Sequence, residues 1–204
     1  RRFALDTETT SQDPMQARLV GLSFCLVPDE AWYIPVGHNY LGAPPQLSLE
    51  TVLARLGPVL ANPDIEKIGQ NIKYDWMVLR RHGVRLEGVA FDTMVASYLI
   101  NPGKRAHGLD QIALDYLGRK TVSYAEVAGK GRNAVTFDQV TIDKATPYAC
   151  EDADVTLAAH DIPIPPTVVT EDVNEAVACV HNLGRVVAKP LFTSKAQGME
   201  VIEA

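Results

Sequence analysis

The sequence predicts an α/β protein built on one mixed sheet: an antiparallel meander first, parallel strands after it, and helices on both faces. Two observations carry that prediction. Three short apolar runs open the chain, and the second and third are joined by the tight turn Pro28-Asp29-Glu30, which reads as a meander. Beyond residue 48 strand-like and helix-like segments alternate, the pattern of strands paired in parallel and covered by helices. At 204 residues the chain can bury one sizeable core.

The elements follow in order. Phe3-Ala4-Leu5-Asp6 reads as the first strand, Leu19 to Val27 as the second and Ala31 to Val36 as the third. Ser48 caps a helix through about Leu60, with Leu49, Val52, Leu53, Leu56 and Leu60 on one face, and Asn62-Pro63 stops it. Glu66 to Gln70 is a short buried strand parallel to the first, and Asn71 caps a helix that runs to His82 and ends at Gly83. Val89 to Thr93 gives a further strand at the sheet edge, and Thr93 to Ile100 a helix. Leu109 to Leu117 is helical by spacing, residues 119–140 read as irregular around the turn Gly129-Lys130-Gly131, and Ile142 to His160 is helical with a break expected near Pro147. The run Ile162-Pro163-Ile164-Pro165-Pro166 cannot propagate a helix and reads as a stiff linker. Glu171 to Lys189 is then one amphipathic helix. The domains expected are 1–160, a linker over 161–170 and a helical tail over 171–204.

Hydrophobic residues make up 47% and charged residues 22%, which is ordinary for a soluble globular protein. No apolar run approaches the roughly 20 residues of a membrane span. Arg1-Arg2 leads into only a few apolar residues before Asp6, which does not read as a signal peptide. The missing initiator Met suits a fragment of a longer chain. Cys25, Cys150 and Cys179 are an odd number without metal-type spacing, which favours buried thiols in a reducing compartment. A net charge of −6 argues against a generic nucleic-acid binder, but that argument fails where acidic residues gather around cations. Basic residues do cluster at Arg80, Arg81, His82 and Arg85, at Lys104 and Arg105, and at Lys130 and Arg132.

The chemistry concentrates in acidic segments. Asp6 and Glu8 share one face of a strand, because side chains alternate with a period of two. Two carboxylates entering an interior repel each other unless a cation neutralises them, and hard divalent ions prefer such oxygens. Asp75 sits in the first turn of a helix that follows a buried strand, at the strand end where sites in open α/β sheets form. Tyr148 and Asp152, four apart on a helix, share a face. Asp92 closes its strand and Asp154 lies on another helix face; both read as structural. No His or Cys cluster offers softer ligands.

The ordered set Asp6-x-Glu8, Asn71-x-x-x-Asp75 and Tyr148-x-x-x-Asp152 resembles the three motifs of the DEDY group of 3′→5′ exonucleases. The wording of Leu5-Asp6-Thr7-Glu8-Thr9, Gly69-Gln70-Asn71-Ile72-Lys73-Tyr74-Asp75, Phe91-Asp92-Thr93-Met94 and Tyr148 to Leu157 resembles the proofreading domain of bacterial DNA polymerase I over residues 3–160. Gln197-Gly198-Met199-Glu200-Val201 faintly resembles the point where a polymerase domain begins.

The resemblance implies a ribonuclease H-like sheet and hydrolysis of the 3′-terminal phosphodiester of DNA, releasing nucleoside 5′-monophosphates. It implies two divalent ions, Mg²⁺ or Mn²⁺, with Zn²⁺ an alternative at one site. Asp6 would bridge them, Glu8 and Asp152 would complete the ion that carries the attacking water, and Asp75 would hold the other. Tyr148 would orient that water. Thr7, Thr9, Gln12, Asn71, His107 and Tyr124 are implied as substrate-binding residues, with Gln12 standing where the family usually has an apolar Leu. The implied partners are a single-stranded 3′ end of DNA and a polymerase domain of the same longer chain, in the bacterial cytoplasm and away from membranes. Two other functions are weighed beside it, an RNase D-like ribonuclease and a catalytically silent DNA-binding or bracing module.

Overall fold

The computed structural model describes residues 1–161, 170, 172–188 and 200–203. Its contacts divide the chain into two units, Arg1–Pro165 and Pro166–Ala204. In the first, strands β1 (Arg2–Thr9), β2 (Leu19–Val27), β3 (Glu30–Pro35), β4 (Glu66–Gly69) and β5 (Val89–Asp92) form one sheet in the order β3-β2-β1-β4-β5. The first three pair antiparallel, and β1–β4 and β4–β5 pair in parallel. The mixed sheet is the one the meander and the later alternation predict.

Alternation along β1 sorts the two layers. Phe3 and Leu5 join Leu22 and Phe24 of β2 in a core shared with Val52 and Leu60 of helix α1 (Leu49–Leu60) and Val78 and Leu79 of α2 (Lys73–Arg81). Ala4 points the other way, into a smaller cluster with Cys25, Ile68 and, from α6 (Ile142–Ala158), Ala153 and Leu157. Each fully buried Leu or Val contributes about 1.5–3 kcal/mol of transfer free energy. Because helices cover both faces, residues 19–25 of β2 are buried on every side chain, which is why β2 reads as a continuous apolar run.

Four local expectations need correction. Helix α6 runs unbroken through Pro147. The missing donor costs one intrahelical bond, and fully buried Ala145, Ala149 and Ala153, four apart, let the helix lie close against the sheet. Asn71 does not cap α2: its φ is +55°, the cap position is Ile72, and no side chain caps it. Both residues instead donate their N–H to Asp92, at 3.1 and 2.9 Å. Residues 119–140 are not irregular throughout, since Ser123 and Glu126 form a capping box that starts the short helix α5 (Tyr124–Ala128). The helix expected over 109–117 is present, as α4 (Leu109–Ile112) passing into a π turn over Ala113–Leu117; it follows α3 (Thr93–Ile100).

The fourth correction concerns the second unit. Helix α7 is Val173–Leu183, capped by Asp172 and ended by Gly184 at φ +74°. Strand β6 (Arg185–Ala188) follows and pairs antiparallel with β7 (Glu200–Glu203). The left-handed Gly184 and the β-branched Val186-Val187 end the helix earlier than the apolar spacing predicts. The Pro-rich run 162–166 lies outside the described residues.

Candidate active site

Asp6 and Glu8 leave β1 on the face that α6 covers, and α6 brings Asp152 to them. One carboxylate oxygen from each lies within 4.8 Å of the others. Asp75, in the first turn of α2, stands outside that group but is fixed to it through β1. Its Oδ1 accepts from the Thr7 N–H at 2.9 Å and from the Thr7 hydroxyl at 2.5 Å. Thr7 sits between Asp6 and Glu8 on the strand and faces the other way, so one strand serves both sides of the site.

The four carboxyls are crowded. Two like charges about 4 Å apart near a protein surface repel by roughly 4 kcal/mol. Burial, then the charges of Asp6, Asp152 and Asp75, hold Glu8 well above the usual carboxylate range. Burial and then Asp6 do the same to Asp75 and Asp152. Asp6 is pushed up to about 6 by burial, with the Thr7 backbone hydrogen bond working against the shift. Glu8 Oε1 is buried and has no hydrogen-bond partner. A buried charged oxygen without a donor is costly, and a hard divalent cation is what these donors fit.

Tyr148 donates its hydroxyl hydrogen bond to Asp152, one helical turn along α6, and burial and then the Asp152 charge push its phenol up. Tyr124 lies 45% exposed with its ring 6.2 Å from Phe137 and edge-on to Tyr148 at 6.3 Å. An aromatic surface therefore runs from solvent to the carboxylates. Gln12 is exposed in the loop after β1. The Thr9 hydroxyl bonds to Tyr74 and to the Ser11 carbonyl, closing that loop against α2.

Three candidates are engaged elsewhere. Thr7 spends both donors on Asp75. Asn71 directs its backbone N–H to Asp92. His107 is 4% exposed, stacks on Tyr98 at 3.6 Å and has both ring nitrogens bonded, to Ser97 and to the Lys104 carbonyl. Asp92 and Asp154 hold structure: Asp92 accepts from four backbone N–H groups of residues 71, 72, 94 and 95. Asp154 accepts from the Asp29 N–H and from Arg119. Sequence reasoning missed Thr7 as the holder of Asp75, and it missed Gly21, opposite Glu8 on β2. A glycine inside a strand signals close approach, and a Cβ there would stand 2.1 Å from the Tyr33 hydroxyl.

A family model described as "3'-5' exonuclease" matches residues 1–162. The chain belongs to that 3′-5′ exonuclease family. The exonuclease domain is 48% identical over 160 residues to DNA polymerase I of Pseudomonas aeruginosa and 42% identical over 171 residues to that of Rhizobium leguminosarum. These matches cover 78% and 76% of this chain but only 18% and 17% of the relatives. Among solved structures, Trypanosoma brucei RNase D superposes with a TM-score of 0.63 at 18% identity, over 97% of this chain and 69% of that one. Brucella melitensis NrnC gives 0.58 at 22% identity, over 79% and 70%. At such identities the likeness concerns the fold alone, which is ribonuclease H-like.

Proposed function

We propose that this exonuclease domain hydrolyses the 3′-terminal phosphodiester of DNA, releasing nucleoside 5′-monophosphates, and proofreads for a polymerase domain of the same longer chain. The observation that carries the reading is the cluster of Asp6, Glu8 and Asp152 within 4.8 Å of one another, with Glu8 Oε1 buried and unpartnered. Two divalent ions, Mg²⁺ or Mn²⁺, with Zn²⁺ an alternative at one site, fit that set when Asp75 is added. Such ions acidify bound water and offset charge on the leaving oxygen. Asp6, Glu8 and Asp152 would hold one such ion, and Asp75, with Asp6 shared, would hold the other. Thr7 keeps Asp75 in register with β1. Tyr148 orients Asp152 through its hydroxyl and presents its phenol oxygen to the attacking water. Tyr124 stacks on a terminal base, Gln12 and Thr9 flank the strand end, and Asn71 borders it.

All the groups of the site lie in the first unit. Residues 161–204 are assigned to connecting it with the polymerase domain. The bacterial relatives support a cytoplasmic setting, and no helix among the described residues is long and apolar enough to cross a membrane. A silent module would be expected to have lost a carboxylate or Tyr148, and all five groups are present.

The deciding experiment incubates 3′-labelled single-stranded DNA with Mg²⁺, with and without EDTA, beside a matched RNA. Mononucleotide release from DNA that EDTA abolishes is expected. Release from RNA in preference to DNA would transfer the reading to the RNase D class, and no release from either would leave only binding.

A further inference from the structure

Next to Glu8 lies a hydrogen-bonded chain that the proposed chemistry does not use. On the face of the sheet that carries Asp6 and Glu8, Gly21 of β2 is the cross-strand partner of Glu8, and cross-strand side chains stand about 5 Å apart. The space a side chain would fill at Gly21 is taken by the Tyr33 phenol, whose oxygen would lie 2.1 Å from a Cβ there. Burial first, and then the charges of Glu8 and Asp6, push the Tyr33 hydroxyl above its ordinary range. The phenol thus sits against the carboxylate site, yet Glu8 Oε1 receives no hydrogen bond.

His38 explains this. Its ring is 6% exposed. Nδ1 lies 2.8 Å from the Val140 carbonyl and Nε2 lies 2.8 Å from the Tyr33 hydroxyl. A carbonyl can only accept, so Nδ1 carries the proton. In a neutral ring Nε2 is then a bare acceptor, and Tyr33 must donate to it. Burial lowers the pKa of His38 and favours the neutral ring. The backbone of His38 is pinned from both sides by Gln46, whose side chain accepts from its N–H at 2.9 Å and donates to its carbonyl at 2.8 Å.

We infer that His38 is a positioning residue for Glu8, acting through Tyr33: the Val140 carbonyl sets the His38 tautomer, His38 accepts the Tyr33 hydrogen bond, and Glu8 is left with open lone pairs for a cation. A phenol beside a carboxylate would otherwise donate to it and compete with the metal. The inference rests on the divalent-ion reading of the site.

The test is calorimetric titration of Mn²⁺ into the whole chain near neutral pH, on wild type, Tyr33→Phe, His38→Leu and the double variant. Removing the His38 acceptor frees the Tyr33 proton for Glu8, so His38→Leu is expected to weaken Mn²⁺ binding roughly ten- to a hundredfold, the range typical of partners behind metal ligands. Adding Tyr33→Phe to it removes the competing donor and restores the affinity, while Tyr33→Phe alone stays close to wild type. Unchanged affinity in His38→Leu overturns the inference, as does a loss that Tyr33→Phe does not rescue, since that marks plain damage to packing. A wild type that binds no Mn²⁺ overturns the divalent-ion reading itself and this inference with it. If His38→Leu does not fold, the ¹⁵N shifts of the wild-type His38 ring decide. Protonation at Nδ1 supports the inference, and protonation at Nε2 overturns it.

Discussion

Glu8 and Asp92 are both buried carboxylates at the same end of the sheet, 7% and 3% exposed, yet the protein treats them oppositely. Asp92 is surrounded by donors, taking four backbone N–H groups from the starts of two helices. Glu8 has one oxygen with no donor at all and three acidic neighbours. Burial alone therefore does not mark a functional acid. What sets Glu8 apart is burial among three other acids with no donor to one of its oxygens, so its ionised form needs a balance from outside the chain.

Substitutions can break or sharpen this contrast. The largest effect is expected at Asp6, which the proposed reading assigns to both ions. Asp6→Ala should cut the rate of mononucleotide release by roughly a thousandfold or more, equivalent to about 4 kcal/mol, with the circular dichroism spectrum unchanged. Cleavage within tenfold of wild type would dismantle the assignment of the cluster.

Next come two stability changes of opposite sign, read from urea denaturation in EDTA. Asp92→Ala should destabilise by about 2–3 kcal/mol, since two helix starts lose their acceptor. Glu8→Gln should stabilise by about 1 kcal/mol or more above neutral pH, because the cost of ionising a buried carboxyl beside three acids, or of keeping it protonated, is removed. If both variants destabilise equally, Glu8 is a structural acid like Asp92 and the contrast is void.

The pH dependence sharpens it further. Burial pushes Asp6 up to about 6 from an ordinary 3.8, and Glu8, Asp75 and Asp152 are raised too. The folded protein then keeps protons that the unfolded chain has lost. This contribution is fully present below about pH 4 and is lost as the pH rises through 6 and beyond. In EDTA the urea midpoint should therefore fall across that range, and Mg²⁺ should remove the fall. A midpoint that rises from pH 4 to 7 without metal would contradict the raised carboxyls. The smallest effects lie at the rim. Tyr124→Ala should weaken binding of a single-stranded 3′ end in Ca²⁺ by about 1–3 kcal/mol, and Gln12→Leu should strengthen it by less.

The contrast also shows what the sequence displays and what it hides. Asp6 and Glu8 are legible because a period-two strand puts them on one face, and Tyr148 and Asp152 because a helix does the same at four. The mixed sheet is legible in the alternation of apolar runs. Thr7 was legible only as a neighbour of the motif, since its hold on Asp75 joins residues 68 apart in sequence. Asn71 looked like a helix cap because its residue type favours that position. The actual acceptor, Asp92, belongs to another strand, and no local pattern announces it. Gly184 ends α7 at a φ of +74°, while the apolar spacing of the sequence runs on across it.

The placement of Asp152 on α6, which packs across β1, β2 and β3, has a consequence during synthesis. Asp6 and Glu8 leave the ribosome first, and Asp152 follows on the order of ten seconds later at ordinary elongation rates. Until then the acidic face of the sheet has no cover and lacks the third carboxylate of the cluster. On the proposed reading the newborn chain would pass its most exposed interval unable to cut, and would acquire a working edge only when α6 closes over the sheet.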